Sequence, residues 1–564
     1  MIRFLATRRF ILFVVFAFFT IVKLPRPAFA QTNSSSANDV PRPKLVVGIV
    51  VDQMRWDYLY RYYGRYGNDG FKRMLKNGFS AGNTNINYVP TYTAIGHTSI
   101  YTGSVPAIHG ITGNDFFLDH GDKTVYCTED DQVQSVGTNS TDGQMSPKNL
   151  LTTTITDELQ LATNFRSKVI GIALKDRASI LPAGRAADAA YWFDDTTGNW
   201  VTSTWYMKEL PEWVQQFNQQ NLAKKYLDRG WSTLYPIHSY IQSTSDINDY
   251  ERALPGTDAP AFPVDTANLY KKFGAGIIRS TPFGNAFTFD MAREAIKNEN
   301  LGKRDVTDFL AISLSSTDYV GHSFGPNSIE VEDTYLRLDQ DLGNFLTYLD
   351  QEVGKGEYTV FLTADHGASH NIGFMEDHQL AAGAWNSSAV QRALNSQLGS
   401  IFGAKNLVRS MINYQVHFNQ QEIDEKDLGL NKIERETVRF LETQDGVAHA
   451  VIMADATNAA IPAVLREYII NSYNRERSGA IQIILQPAWY SSGIPRPKGA
   501  THSAIYPYDT HIPLIFMGWG IKRGETVRPT NITDIAPTLA ALLHIQTPDG
   551  NIGPPISEAI KLRY

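Results

Sequence analysis

Five stretches of the chain are apolar without alternation: KLVVGIVVDQ at 44–53, SKVIGIALKDR at 167–177, DFLAISLSSTD at 308–318, YTVFLTADHG at 358–367 and HIPLIFMGWG at 511–520. Continuous apolar runs of this length suit strands buried on both faces of a parallel sheet, whereas a strand with one wet face alternates. Helical patterns lie between them, at 69–76, 332–349 and 534–543. Strands alternating with helices predict an α/β fold, a doubly wound and mostly parallel sheet with helices on both faces.

Two regions break the alternation. From about 184 to 283 a hairpin pattern, YWFDDTTGNWVTS, leads into Gln- and Tyr-rich segments that read as a surface insertion. From about 368 to 497 a second insertion has strands of its own, GVAHAVIM and AIQIILQPAWY, and a helix around 461–474. Both are expected to be caps around one active site in a catalytic unit spanning 44–564.

Four of the five apolar runs end in polar or ionisable groups: Asp52, Lys175 with Arg177, Asp318, and Asp365 with His366. Open α/β sheets bind ligands beyond the carboxyl ends of their strands, so these groups are expected to converge. Asp52, Asp318, His322, Asp365, His366 and His502 are candidate metal ligands. Carboxylates supply charge and imidazoles a borderline-soft nitrogen, a mixture that suits divalent transition metals and zinc above all. Asp318 and His322 stand four apart, on one face of a helical turn. Taken alone, Asp52 reads more readily as a helix cap than as a ligand, and His97, His109, His370, His378 and His511 read as structural hydrogen-bonding residues.

Composition narrows the class. The 564 residues are 43% hydrophobic and 19% charged, as in an ordinary globular protein, and a net charge of −7 gives none of the basic footprint that nucleic-acid binding requires. The single cysteine, Cys127, excludes an intramolecular disulfide. At the N-terminus, Arg3, Arg8 and Arg9 precede an apolar run at 10–22 and an Ala-Phe-Ala site ending at Ala30. That is the pattern of a cleaved export signal over residues 1–30, with a polar linker at 31–43, and the apolar run is shorter than the ~20 residues that cross a bilayer. The expected location is the periplasm or the medium, without a stable membrane anchor.

The pieces VDQMRWD, VPTYTAIGHTSIYTG, HGITGNDFF, LKDR, STDYVGH, TADHG and THS occur in the order seen in the alkaline phosphatase superfamily. They most resemble its bacterial phosphate-irrepressible alkaline phosphatases with a threonine nucleophile, relatives of the nucleotide pyrophosphatase/phosphodiesterases. The resemblance covers about residue 44 to the C-terminus and implies an alkaline-phosphatase-like fold with two zinc ions. One would be held by Asp318, His322 and His502, the other by Asp52, Asp365 and His366, about 3.5–4 Å apart as two-metal phosphoryl-transfer sites are. The resemblance also makes Thr93 the nucleophile, four residues before His97, and makes Asn114, Lys175 and Arg177 the residues that bind the phosphoryl oxygens. Thr91, Thr98, Ser99 and Thr102 are then capping or packing hydroxyls. Where that pattern often has glycine after its last histidine, this chain has Ser503.

The activity implied is hydrolysis of small phosphate monoesters by double displacement through a phosphothreonine, by a protein expected to be a monomer. A monoester dianion offers three terminal oxygens to Lys175 and Arg177, where a diester places a second substituent. A phosphodiesterase or nucleotide pyrophosphatase on the same site is the nearest alternative. A phosphonate hydrolase and a non-catalytic metal-binding protein are further ones. A sulfatase is disfavoured, because neither Thr93 nor Cys127 stands in a Cys/Ser-x-Pro-x-Arg setting.

Overall fold

A computed structural model of the chain describes residues 41–118 and 123–561. The expected export signal at 1–30 and the expected linker up to residue 40 lie outside the described residues. Contacts divide the chain after Pro41, and the unit from Arg42 onward holds both the sheet and the candidate site.

Ten strands make the main sheet: β1 (Leu45–Val51), β2 (Phe79–Ala81), β3 (Ser135–Val136), β4 (Val169–Ala173), β5 (Ala189–Asp194), β6 (Asn199–Ser203), β7 (Asp308–Leu314), β8 (Tyr358–Thr363), β9 (Leu514–Gly518) and β10 (Gly524–Thr526). Their order is β10-β2-β9-β8-β1-β7-β4-β5-β6-β3. The five central strands, β8-β1-β7-β4-β5, are parallel. β9 runs antiparallel to β8 and to β2, and β5 is antiparallel to β6. The sheet is therefore mixed at its flanks. An apolar run reports burial on both faces and is the same read in either direction, which is why HIPLIFMGWG looks like its parallel neighbours.

All seven residues of β1 are buried, as are all those of β7 and β8. Burying each Val, Ile, Leu or Phe of these strands stabilises the fold by about 1.5–3 kcal/mol before entropy is counted. Helices pack against the sheet. Four of them matter to the site: α1 (Thr93–Thr102), α2 (Asp176–Ala183), α3 (Ser316–Phe324) and α4 (Ile329–Leu349). Every residue of α1 is buried, so this helix lies inside the molecule with no wet face.

The hairpin pattern near residue 190 forms as the pair β5 and β6, and it extends the main sheet through parallel pairing of β5 with β4. Six buried residues in a row, AAYWFD, give β5 the character of an interior strand. Residues 408–485 contain a separate four-stranded sheet, ordered Val408–Ser410, Gln415–Phe418, Ile481–Leu485 and Val447–Ile452, over a core of its own that includes Leu394, Leu398, Ile433 and Leu441.

Candidate active site

Strand register brings the candidate residues together. Val51 on β1 is level with Leu314 on β7, Val50 with Thr363 on β8, and Ser313 with Ala173 on β4. One or two residues beyond these pairs, Asp52, Ser315, Asp365 and Lys175 share one level across four adjacent strands. Each chain then turns, Ser315 directly into α3 and Lys175 directly into α2. Asp318 and His322 project from α3, and their side chains meet at 3.2 Å.

Three histidines complete the cluster, and each is oriented by a backbone carbonyl. Nδ1 of His322 lies 2.9 Å from Ala500 O, Nδ1 of His366 lies 3.0 Å from Gly367 O, and Nδ1 of His502 lies 2.5 Å from Thr91 O. A carbonyl only accepts, so Nδ1 carries the proton and Nε2 offers its lone pair to the site, the arrangement in which a second partner fixes a ligating imidazole. His366 Nε2 faces Asp365 Oδ2 at 3.3 Å and Asp52 Oδ1 at 3.7 Å, and His502 Nε2 faces Asp318 Oδ1 at 3.8 Å. Ligand atoms of Asp318, His322 and His502 converge on one point, and those of Asp52, Asp318 and His366 on another. Five of the six predicted ligands fall in these groups, with Asp318 in both where Asp365 was expected in the second, and Asp365 stands beside them with Oδ2 3.3 Å from His366 Nε2.

This donor set fits metal ions. Asp52 Oδ1 is buried with no hydrogen-bond partner, a costly condition unless a cation meets it, and Asp365 Oδ2 has only His97 Nδ1 at 3.3 Å and His366 Nε2 at 3.3 Å beside it. Burial pushes the Asp52 carboxyl well above the usual carboxylate range, and the charge of Asp365 adds to it, although Lys175 opposes both. Burial, with His366 and His322 beside it, pushes the His502 imidazole well down, so it is neutral as a ligand must be.

Thr93 is the first residue of α1, with Tyr92 as its N-cap. Its Oγ1 does not cap the helix. It lies 3.4 Å from Lys175 Nζ and 3.5 Å from His366 Nε2, and the residue is 1% exposed. The other hydroxyls of the stretch are engaged locally: Thr98 donates to Ala94 O at 2.7 Å, Thr102 to Thr98 O at 2.8 Å, and Ser99 Oγ meets His109 Nε2 at 3.2 Å. Thr91 Oγ1 accepts from Ser503 N at 3.0 Å. The helix N-terminus directs backbone N–H groups and the positive end of its dipole toward Thr93, a setting that favours an anion.

Lys175 Nζ donates to Asp52 Oδ2 at 2.7 Å and to Asp318 Oδ2 at 2.6 Å, with its third proton available toward Thr93. Arg177, in the first turn of α2, donates from Nη1 to Tyr126 Oη at 2.8 Å, and its buried Nε has no partner. Asn114 Oδ1 accepts from Ala94 N at 3.1 Å, which sets its amide at the mouth of α1.

Two positioning residues escaped the sequence reading. Gln53, at a φ of 63°, donates from its backbone to Asp365 Oδ1 at 3.1 Å and from Nε2 to Asp318 Oδ1 at 2.7 Å. Its adjacency to Asp52 after an apolar run is the only sequence signal. Ser313, inside β7, holds His97 Nε2 at 2.8 Å, while His97 Nδ1 bonds Thr93 O at 2.9 Å. His97 is structural, as expected, and braces the helix that presents Thr93. Ser503 has a φ of 119°, a backbone region that favours glycine, and is held there by donating to Asp509 Oδ2 at 2.9 Å. The glycine of the resembling pattern has a conformational reason, and Asp509 compensates for its absence.

Gly96 lies one turn after Thr93 against the end of β8. A Cβ there would collide with Asp365 O and stand 2.6 Å from Asp365 Cβ, and neither can move without dragging a ligand. Gly96→Ala is expected to cost about 1–3 kcal/mol of stability, as overpacked cores do, and to lower bound metal in the purified protein. Elemental analysis and a melting curve check this, and unchanged metal content would show that α1 and β8 have slack between them.

A family model for type I phosphodiesterase / nucleotide pyrophosphatase matches residues 46–508. A relative from Myroides odoratus named calcium-transporting ATPase is 56% identical over 528 residues, which cover 93% of this chain and 96% of that one. The alkaline phosphatase PafA of Elizabethkingia meningoseptica is 52% identical over 530 residues, covering 93% and 96% respectively. The crystal structure of wild-type PafA superposes with a TM-score of 0.91 over 93% of this chain and 100% of that one.

Proposed function

Since the chain belongs to the type I phosphodiesterase/nucleotide pyrophosphatase family of the alkaline phosphatase superfamily, we propose that it is an alkaline phosphatase that hydrolyses phosphate monoesters through a phosphothreonine at Thr93. One observation carries this reading: an uncapped threonine hydroxyl at a helix N-terminus faces Lys175 Nζ and His366 Nε2 beside two groups of converging ligand atoms. Asp318, His322 and His502 would hold one zinc ion, and Asp52, Asp365 and His366 the other. When bound, the two ions supply Lewis acidity and neutralise charge on the attacking and leaving oxygens.

The chain's own residues do the rest. The dipole of α1 and the Lys175 ammonium stabilise Thr93 Oγ1 in its deprotonated form, which attacks phosphorus while the ester P–O bond breaks, and the departing oxygen takes up a proton and leaves as the alcohol. Arg177, with its unpartnered Nε and the hydrogen-bonded Tyr126 setting its plane, grips the equatorial phosphoryl oxygens, and the Asn114 amide donates to another. His97 and Gln53 keep the helix and the carboxylates from drifting during the two displacements. Water then attacks the phosphothreonine from the side the leaving group has vacated, releasing inorganic phosphate.

The substrates are small phosphate monoesters. ATP, the molecule in the name of the Myroides relative, ends in a phosphoryl group of similar shape and charge, and its hydrolysis is assigned to the same site. Residues 44–564 act as one catalytic unit, exported by the signal at 1–30 and working as a monomer, with the segments at about 184–283 and 368–497 shaping access to the site. Two displacements at phosphorus restore its configuration. A substrate with a chiral phosphoryl group is expected to transfer it to an acceptor alcohol with retention, and inversion would mean a direct single attack with Thr93 as a bystander.

A further inference from the structure

The insertion at about 368–497 reaches the segment that carries Asn114 through one unusual turn. Between its strands Val408–Ser410 and Gln415–Phe418, Asn413 and Tyr414 have φ of 58° and 56°, a left-handed backbone that residues other than glycine seldom adopt. Two such residues in succession persist only where their surroundings hold them. Tyr414 is held from within the insertion, its O accepting from Gln482 Nε2 at 3.1 Å and its Oη from Ser491 N at 2.9 Å. Asn413 is held from outside it, by donating from Nδ2 to Asp115 O at 2.8 Å.

The fit at this contact is close. A Cβ on Gly113 would stand 2.4 Å from Asn413 Nδ2 and 2.7 Å from Asp115 O, so glycine at 113 is what lets the amide reach the carbonyl at 115. Asn114, between the two, is tied at two further points: its O accepts from Cys127 N at 2.8 Å and its Oδ1 from Ala94 N at 3.1 Å. With Oδ1 fixed on the first turn of α1, the direction of Asn114 Nδ2 depends on where the backbone of residues 113–115 lies. Strand Asp115–Phe117 pairs with Thr124–Tyr126, and that partner strand is anchored to α2 by Tyr126 Oη, which donates to Asp176 Oδ1 at 2.9 Å and accepts from Arg177 Nη1 at 2.8 Å. The insertion continues along the first strand beyond Asn413, with the His417 and Phe117 rings 4.7 Å apart and Arg409 Cζ 5.6 Å over the Phe117 ring.

We propose that Asn413 is a positioning residue for Asn114: by fixing the carbonyl of Asp115 it aims the Asn114 amide at the phosphoryl group, and the insertion thereby sets how tightly the site grips phosphate. The inference rests on the reading of Asn114 as a phosphoryl ligand given above.

The test is calorimetric titration of inorganic phosphate into the zinc-loaded protein, as the parent, Asn413→Gly, Asn114→Ala and the double variant, with melting curves in parallel. Glycine is at ease at a φ of 58°, so Asn413→Gly keeps the turn and removes the amide, and since the bond it deletes is exposed the melting temperature should hardly move. Asn114→Ala should weaken phosphate binding by about 10-fold or more, the scale of one hydrogen bond to a charged group. Asn413→Gly should weaken it by about 3–10-fold, the scale of misplacing such a group. The double variant should bind no worse than Asn114→Ala, because a residue that acts through another loses its effect once the other is gone. Parental phosphate affinity in Asn413→Gly, or a loss that adds in full to that of Asn114→Ala, overturns the proposal. Phosphate affinity unchanged in Asn114→Ala overturns instead the assignment of Asn114 itself, and the inference falls with it.

Discussion

Thr93→Ala should lower turnover of an aryl phosphate monoester by roughly 10⁴-fold or more, the scale on which enzymes lose rate when a nucleophile is deleted, with folding and metal content intact. The contrast is predictable because of how little else the hydroxyl does. Its nearest partners, Lys175 Nζ and His366 Nε2, stand at 3.4 and 3.5 Å, too long to contribute much stability. Thr93 begins α1 but does not cap it, so alanine, a better helix former, costs the helix nothing. Removing Thr98 or Thr102 instead deletes a side-chain bond to a helix carbonyl and should leave turnover within a few-fold. Near-parental activity in Thr93→Ala would exclude it as the nucleophile and leave water as the attacking group.

Lys175→Ala combined with Arg177→Ala should reduce kcat/KM for a monoester by roughly 10²–10⁴-fold, taking about 1.5–3 kcal/mol for each charge-assisted hydrogen bond lost. The loss for a matched diester should be much smaller, because one of its terminal oxygens carries a second substituent and less charge. Lys175 also has a structural share. Its ammonium bridges Asp52 and Asp318, one from each predicted ligand set, and deleting it leaves two buried carboxylates facing each other. Arg177→Ala alone is therefore the cleaner reading of phosphate affinity, and the double variant needs its metal content measured. An equal loss on both substrates would count against the two cations as the source of monoester preference.

Much of this is legible in the sequence. The parallel centre of the sheet follows from unbroken apolar runs, and the convergence of Asp52, Lys175, Asp318, Asp365 and His366 follows from their place just past the carboxyl ends. What periodicity does not convey is partnership. The strand Leu514–Gly518 has the same buried pattern as its neighbours yet runs the other way, because burial is blind to chain direction. The hairpin near residue 190 is visible as a hairpin, but its attachment to Val169–Ala173 depends on register with a distant strand. Gln53 works through a left-handed backbone and a close fit against Gly321, where a Cβ would collide with its Oε1, and neither is written in a propensity. Tyr126, which sets Arg177, sits on a separate hairpin and emerges only in three dimensions. His502 is the least anchored of the expected ligands, and the structure shows why it still fits. Thr91 O fixes its ring, and Asp509 holds the strained residue next to it.

The most direct single measurement is kcat/KM of the zinc-loaded protein for an aryl phosphate monoester and for the matching diester under the same conditions. A strong preference for the monoester is predicted, from Lys175 and Arg177 gripping a dianion beside Thr93. A preference for the diester would contradict the account and place the chain with the phosphodiesterases of its family.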